Sequence, residues 1–142
     1  VDLLLAAVLA VGAGPDANVG VSASFVPPAR GARTAGVAVT FSPRDPDVHV
    51  NEEPGPRLKL DDAQDVLREQ KPARIGPLEA PKPGEFKYLD TAVPVVFPVG
   101  LGAGARKGTH AVRGAVTFFY CSKRDGWCRK GQSDIEVPVS IP

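Results

Sequence analysis

The sequence predicts an all-β fold, an antiparallel sandwich with one hairpin closed by a pair of cysteines. Three observations carry this. Apolar residues recur at every second position in several short runs, the period of a strand with one face buried. Gly and Pro, fifteen of each in 142 residues, punctuate those runs with turn signals. The only two cysteines, Cys121 and Cys128, face each other across a short loop, with an apolar run before it and an alternating run after it.

In chain order, the first strand has Val19, Val21, Ala23 and Phe25 on one face and Gly20, Ser22 and Ser24 on the other; Pro27-Pro28 ends it. The second points Val37, Val39 and Phe41 inward and stops at Ser42-Pro43-Arg44-Asp45-Pro46. Val48 and Val50 flank His49 in a third short strand, so the imidazole faces away from them. The turn cluster Asn51 to Pro56 separates it from Leu58-Lys59-Leu60.

One helix is expected, from Asp61 to Gln70, with Ala63, Val66 and Leu67 at helical spacing, Asp61 or Asp62 as N-cap and Pro72 as stop. Val66-Leu67 fits an edge strand equally well. Lys71 to Gly84 is Pro-rich and expected to be a long surface loop. Alternation resumes at Val93, Val95, Phe97 and Val99; Pro94 and Pro98 on the opposite face predict an edge strand or bulges. After a turn over Gly100 to Gly108, Thr109 to Cys121 is the longest strand candidate, and Ile135 to Ile141 closes the sandwich. Such a set of strands is immunoglobulin-like in the broad sense, without the Cys…Trp…Cys spacing of antibody domains.

Length fits a single domain, expected over residues 19–142, and a hydrophobic fraction of 43% is enough for a core. A formal net charge of +1 gives no basis for nucleic-acid binding. No Met is present, which argues against a thioether copper site. The apolar opening, residues 1–13, is too short to span a bilayer. Its length and the small residues Val11-Gly12-Ala13 suit the remnant of a signal peptide, although a basic start is missing; an N-terminal segment packed on the domain is the other reading. Export to the periplasm or beyond also suits a paired cysteine count.

The loop Ser122-Lys123-Arg124-Asp125-Gly126-Trp127 makes a bridge between its flanking cysteines sterically easy. Closing about eight residues stabilises by only roughly 2.5 kcal/mol in the loop-entropy treatment. A short loop is thus a modest staple but a good place for two thiols that must find each other. Lys123, Arg124, Arg129 and Lys130 surround the cysteines in sequence, and cations favour the thiolate that attacks disulfides. They also fit a solvated hairpin tip. Trp127 could shield a sulfur, contact a partner or anchor the loop, the last being its commonest use. A zinc site from both cysteines with His49 and His110 would require two distant histidines to converge, and no metal or other cofactor is expected. Paired carboxylates such as Glu52-Glu53 sit beside turn residues, and no nucleophile elbow or phosphate loop is present.

His49 to Pro56, then Tyr88-Leu89-Asp90 leading into a Val-rich strand, then Gly114 to Cys128 followed by Ile135-Glu136-Val137-Pro138-Val139, resembles the amino-terminal domain of the DsbD thiol:disulfide interchange family. The resemblance spans roughly Val19 to Pro142, and the aromatic strand, the cysteine hairpin and the closing strand are its most specific part. It implies a periplasmic immunoglobulin-like sandwich. In that family the hairpin cysteines pass electrons from a membrane donor to periplasmic thiol proteins through mixed disulfides. Cys121 and Cys128 are the pair to which this role transfers. The family covers its disulfide with a cap loop, and Pro77 to Phe86 stands in the comparable place, with Glu85 and Phe86 as nearest equivalents. The cysteine spacing here is one residue longer than in the best-known members, and the loop is more basic. The family's membrane carrier and thioredoxin-like tail are not among these residues, so the domain is expected to act alone, as a fragment, or with separate partners. Two functions follow as expectations: thiol–disulfide exchange through Cys121 and Cys128, with Lys123, Arg124, Trp127 and Arg129 as the partner-facing loop, or a secreted binding module whose bridge is purely structural.

Overall fold

The computed structural model describes residues 18–61, 65–69 and 87–142. The apolar segment 1–13, the Pro-rich loop and the cap residues Glu85 and Phe86 lie outside them. Eight strands follow one another: β1 (Val19–Val26), β2 (Thr34–Pro43), β3 (Val48–Val50), β4 (Arg57–Leu60), β5 (Leu67–Glu69), β6 (Val95–Leu101), β7 (Gly108–Ser122) and β8 (Cys128–Ile141). The described residues hold no helix, and so none that could cross a membrane.

These strands form an antiparallel β-sandwich. One sheet runs β1-β2-β6-β5; in the other, β7 carries β3 and β4 in succession along one side and β8 along the other. A single apolar cluster fills the space between them. Val37, Val39 and Phe41 of β2 and Val95, Phe97 and Val99 of β6 meet Val116, Phe118 and Tyr120 of β7 and Ile135, Val137 and Val139 of β8. The alternation read from the sequence decides which face each residue takes. Along β8 the buried residues are every second one from Gly131 to Val139, with Gln132, Asp134, Glu136 and Pro138 in solvent. Each buried Val, Ile or Phe contributes about 1.5–3 kcal/mol by leaving water.

Two expectations need correction. The helix expected over Asp61 to Gln70 is absent from the described residues of that span, and the alternative holds: Leu67–Glu69 is the edge strand β5, paired with Val99 to Leu101 of β6. Leu67 is only 2% exposed, and Glu69 Oε1 accepts the Leu60 N–H at 3.3 Å, tying β5 to β4 across the sandwich. A short stretch with few apolar residues gains more from ladder bonds to a buried strand than from two helical turns. Likewise β6 is not an edge strand, for it lies between β2 and β5. Pro98 is tolerated because it sits opposite Gly36 of β2 and one residue past the last described β5–β6 pair, Glu69↔Val99. No described strand asks for its missing N–H on that side.

Gly114 shows how tightly the second sheet is built. It sits opposite Leu60, and a Cβ there would lie 2.6 Å from the Lys59 carbonyl oxygen and 3.3 Å from Leu60 Cα. Both neighbours are backbone, so β4 would have to move. Gly114→Ala is expected to cost about 1–3 kcal/mol, read as a lower midpoint in urea unfolding with an unchanged slope.

Candidate redox site at the hairpin tip

The β7–β8 hairpin holds register from Gly108↔Ile141 to Cys121↔Cys128. The two cysteines are therefore directly opposed, with Cα atoms 4.0 Å apart, and they form a disulfide. The next rung explains the close approach. Ser122 N–H donates to the Trp127 carbonyl at 2.9 Å, which makes Cys121 and Cys128 a non-hydrogen-bonded pair, the kind that brings strands nearest.

Strand parity puts the bridge on the outer face of the sheet. Phe118 and Tyr120 point into the core; Phe119 and Cys121 point away from it, and His49 lies across β3 opposite Cys121. The sulfurs thus sit outside the apolar cluster, in a row His49–Cys121–Cys128. The row is unequal: Cys121 is only 3% exposed, whereas Cys128 is exposed. The imidazole of His49 packs on Tyr88 with ring centroids 5.1 Å apart, and Lys123 Nζ stands 4.9 Å from the Tyr88 ring centre. Tyr88 reaches this position because its segment adds to β3: Glu52 N–H donates to the Lys87 carbonyl and Leu89 N–H to the Val50 carbonyl, both at 2.8 Å.

Trp127 lies on the other side. It meets Tyr120 edge-on at 5.8 Å, and the Arg129 guanidinium covers its ring at 4.4 Å. Trp127 packs against the core and anchors the tip, the commonest of the three uses open to it. Below it Asn18 Nδ2 donates to the Tyr120 hydroxyl at 3.2 Å.

The tip itself is clamped by the loop before β3. Asp47 Oδ2 accepts from Ser122 Oγ at 2.9 Å and from the Arg124 N–H, and the Asp47 carbonyl accepts from Lys123 N–H at 3.0 Å. Asp125 N–H donates to Ser122 Oγ at 3.1 Å, and Gly126, at φ 76°, supplies the left-handed turn that returns the chain. Arg124 is ringed by carboxylates, with Asp45 at 3.1 Å, Asp125 at 3.4 Å and Asp47 at 3.9 Å. Hydrogen bonds to Asp125 and then Asp45 raise its pKa. The Asp45 carboxyl is lowered, first by the Asp47 N–H it accepts and then by Arg124.

The structure therefore separates the residues that the sequence groups together. Cys121 and Cys128 meet; Lys123 reaches toward them only as far as Tyr88; Arg124 is engaged by aspartates and Arg129 by Trp127. Asp45, Asp47, Ser122 and Tyr88 are the contributors that sequence reasoning missed at this site. Among the described residues no three His, Cys, Asp or Glu side chains converge as a metal site. His110, whose ring nitrogen pairs with the Arg106 carbonyl at 2.7 Å, is opposite Val139 at the far end of the hairpin. No family model, no curated protein and no solved structure matches this chain.

Proposed function

We propose that this is an exported thiol–disulfide exchange domain, acting in the periplasm or an equivalent oxidising space, with Cys128 as the sulfur that partners attack. The unequal exposure of the two cysteines is the observation that carries the reading. Attack on a disulfide requires approach along the S–S axis to one sulfur, and of the two residues Cys128 is exposed while Cys121 is buried. A partner thiolate bonds to Cys128 Sγ, the S–S bond breaks, and its electron pair leaves on Cys121 Sγ. A second partner thiol then attacks the mixed disulfide and releases Cys128, so the domain gains two electrons and the partner becomes oxidised. The partner implied is a dithiol protein or a membrane electron donor.

Further support comes from the fold. Its strand order can be laid on the A-B-E-D and C-F-G sheets of a seven-stranded immunoglobulin-type sandwich, with β3 and β4 together in the place of C. That is the architecture implied by the resemblance to the DsbD amino-terminal domain. Position supports it too: the bridge lies at the hairpin end, outside the main apolar cluster, and the tip is already clamped by Asp47.

One observation favours the second reading, a secreted binding module with a structural bridge. Arg124 and Arg129, two of the cations expected to favour a thiolate, are spent on aspartates and Trp127. The readings separate in one experiment. The oxidised protein is incubated with a thioredoxin-fold protein whose resolving cysteine is replaced by serine, and the adduct is mapped by mass spectrometry. The exchange reading expects a mixed disulfide at Cys128 with Cys121 free. A bridge that yields no adduct, with a reduction potential below about −300 mV, would sink it and leave the binding module.

A further inference from the structure

Cys121 has a problem as a leaving group. It is 3% exposed, so water cannot solvate the thiolate that forms when Cys128 is attacked, and an unsolvated buried anion is costly. Its neighbours across the outer face are Cys128 on β8 and His49 on β3, both in direct register. Opposed residues of an antiparallel pair have Cβ atoms about 4.5–5.5 Å apart, within reach of an imidazole and a sulfur. Tyr88 holds the His49 ring at 5.1 Å, and Lys123 lies over the far partner, the Tyr88 ring, at 4.9 Å. Charged groups around this row include Lys130, exposed on β8 two residues beyond Cys128, and Asp47, two residues before His49 and bonded to the Ser122 hydroxyl.

We infer that His49 is the residue that receives the Cys121 thiolate, its imidazole N–H donating to Sγ as the S–S bond breaks. The inference deepens the exchange reading and rests on it for its biological use, but the chemistry stands by itself. The partner thiolate bonds to Cys128, the electron pair moves to Cys121 Sγ, and the His49 ring, as imidazolium, hydrogen-bonds that sulfur or gives it one N–H proton and is left neutral. Oxidation of the reduced protein runs the same steps backwards, with the imidazole taking up the Cys121 proton. Tyr88 is then a positioning residue, which fixes the imidazole by ring packing.

The test uses the small reductant dithiothreitol, so that no protein partner is involved. His49→Phe keeps a ring against Tyr88 and removes the N–H donor; His49→Gln keeps an N–H donor and removes the ring. The reduction rate at neutral pH is expected to fall five- to tenfold in His49→Phe and less than threefold in His49→Gln. In a Cys128→Ser background, the midpoint of Cys121 thiolate formation, followed at 240 nm, is expected to move upward by about one unit in His49→Phe, a tenfold change. Circular dichroism of each oxidised variant checks that the fold is retained. Equal rates and midpoints in His49→Phe and wild type overturn the inference, as does Lys123→Gln giving the whole effect by itself. If dithiothreitol shows the His49 effect while thioredoxin-fold proteins form no adduct, the exchange reading fails and the His49 assignment stands.

Discussion

Phe118→Ala is expected to destabilise the domain by about 3–5 kcal/mol, enough to leave a protein of ordinary stability partly unfolded. The side chain is fully buried, and it is one of the residues by which the second sheet meets the first. Its ring centroid lies 5.1 Å from that of Phe41 on β2, in a tilted arrangement, and 5.7 Å from that of Tyr120 on its own strand. Truncation removes both aromatic contacts and opens a cavity between two sheets that cannot collapse onto it, since both are fixed by their ladders. The next residue makes the control. Phe119 is half-buried and points to the outer face, so Phe119→Ala is expected to cost only about 1 kcal/mol. Urea unfolding of both variants checks the contrast. Equal losses would mean that the strand parity assigned to β7, and with it the placement of the disulfide on the outer face, is wrong.

That parity was legible in the sequence, and much of the fold with it. Val37, Val39 and Phe41, or Val137 and Val139, announce their face because a strand alternates and the core rewards one side only. The helix expected around Val66 and Leu67 failed for a physical reason: a short run offers too few apolar residues to distinguish the two periods, and the choice fell to β6, a strand remote in sequence. The site was legible only in part. Cys121 and Cys128 could be paired from their loop alone, because their contact is local. Asp47 reaching Ser122, and His49 facing Cys121, span some seventy residues, and register across such a distance is set by the packing of the whole sheet. The cations around the cysteines misled for a related reason. Sequence proximity says nothing of direction, and Arg129 leaves on the face opposite to Cys128 to lie over Trp127.

The clamp at the tip carries the other large effect, and it bears on redox poise as well as stability. Asp47→Ala is expected to cost about 3 kcal/mol, because it takes the charged acceptor from both the buried Ser122 hydroxyl and the Arg124 N–H. Asp47→Asn retains one acceptor oxygen and is expected to lose about half as much. None of the clamp's hydrogen bonds involves a sulfur, so in the reduced protein it is expected to keep the two thiols opposed at the hairpin mouth. A thiol pair held at high effective concentration closes readily, and loosening the tip lowers that concentration. In a graded glutathione buffer, Asp47→Ala is therefore expected to shift the bridge about tenfold toward the dithiol, a difference of about 1.4 kcal/mol, with Asp47→Asn between it and wild type. Alkylation and mass spectrometry at each glutathione ratio measure the shift. If the equilibrium is unmoved while stability falls, the long β7–β8 ladder alone holds the thiols together, and the loop before β3 contributes to the fold without setting the potential of the pair.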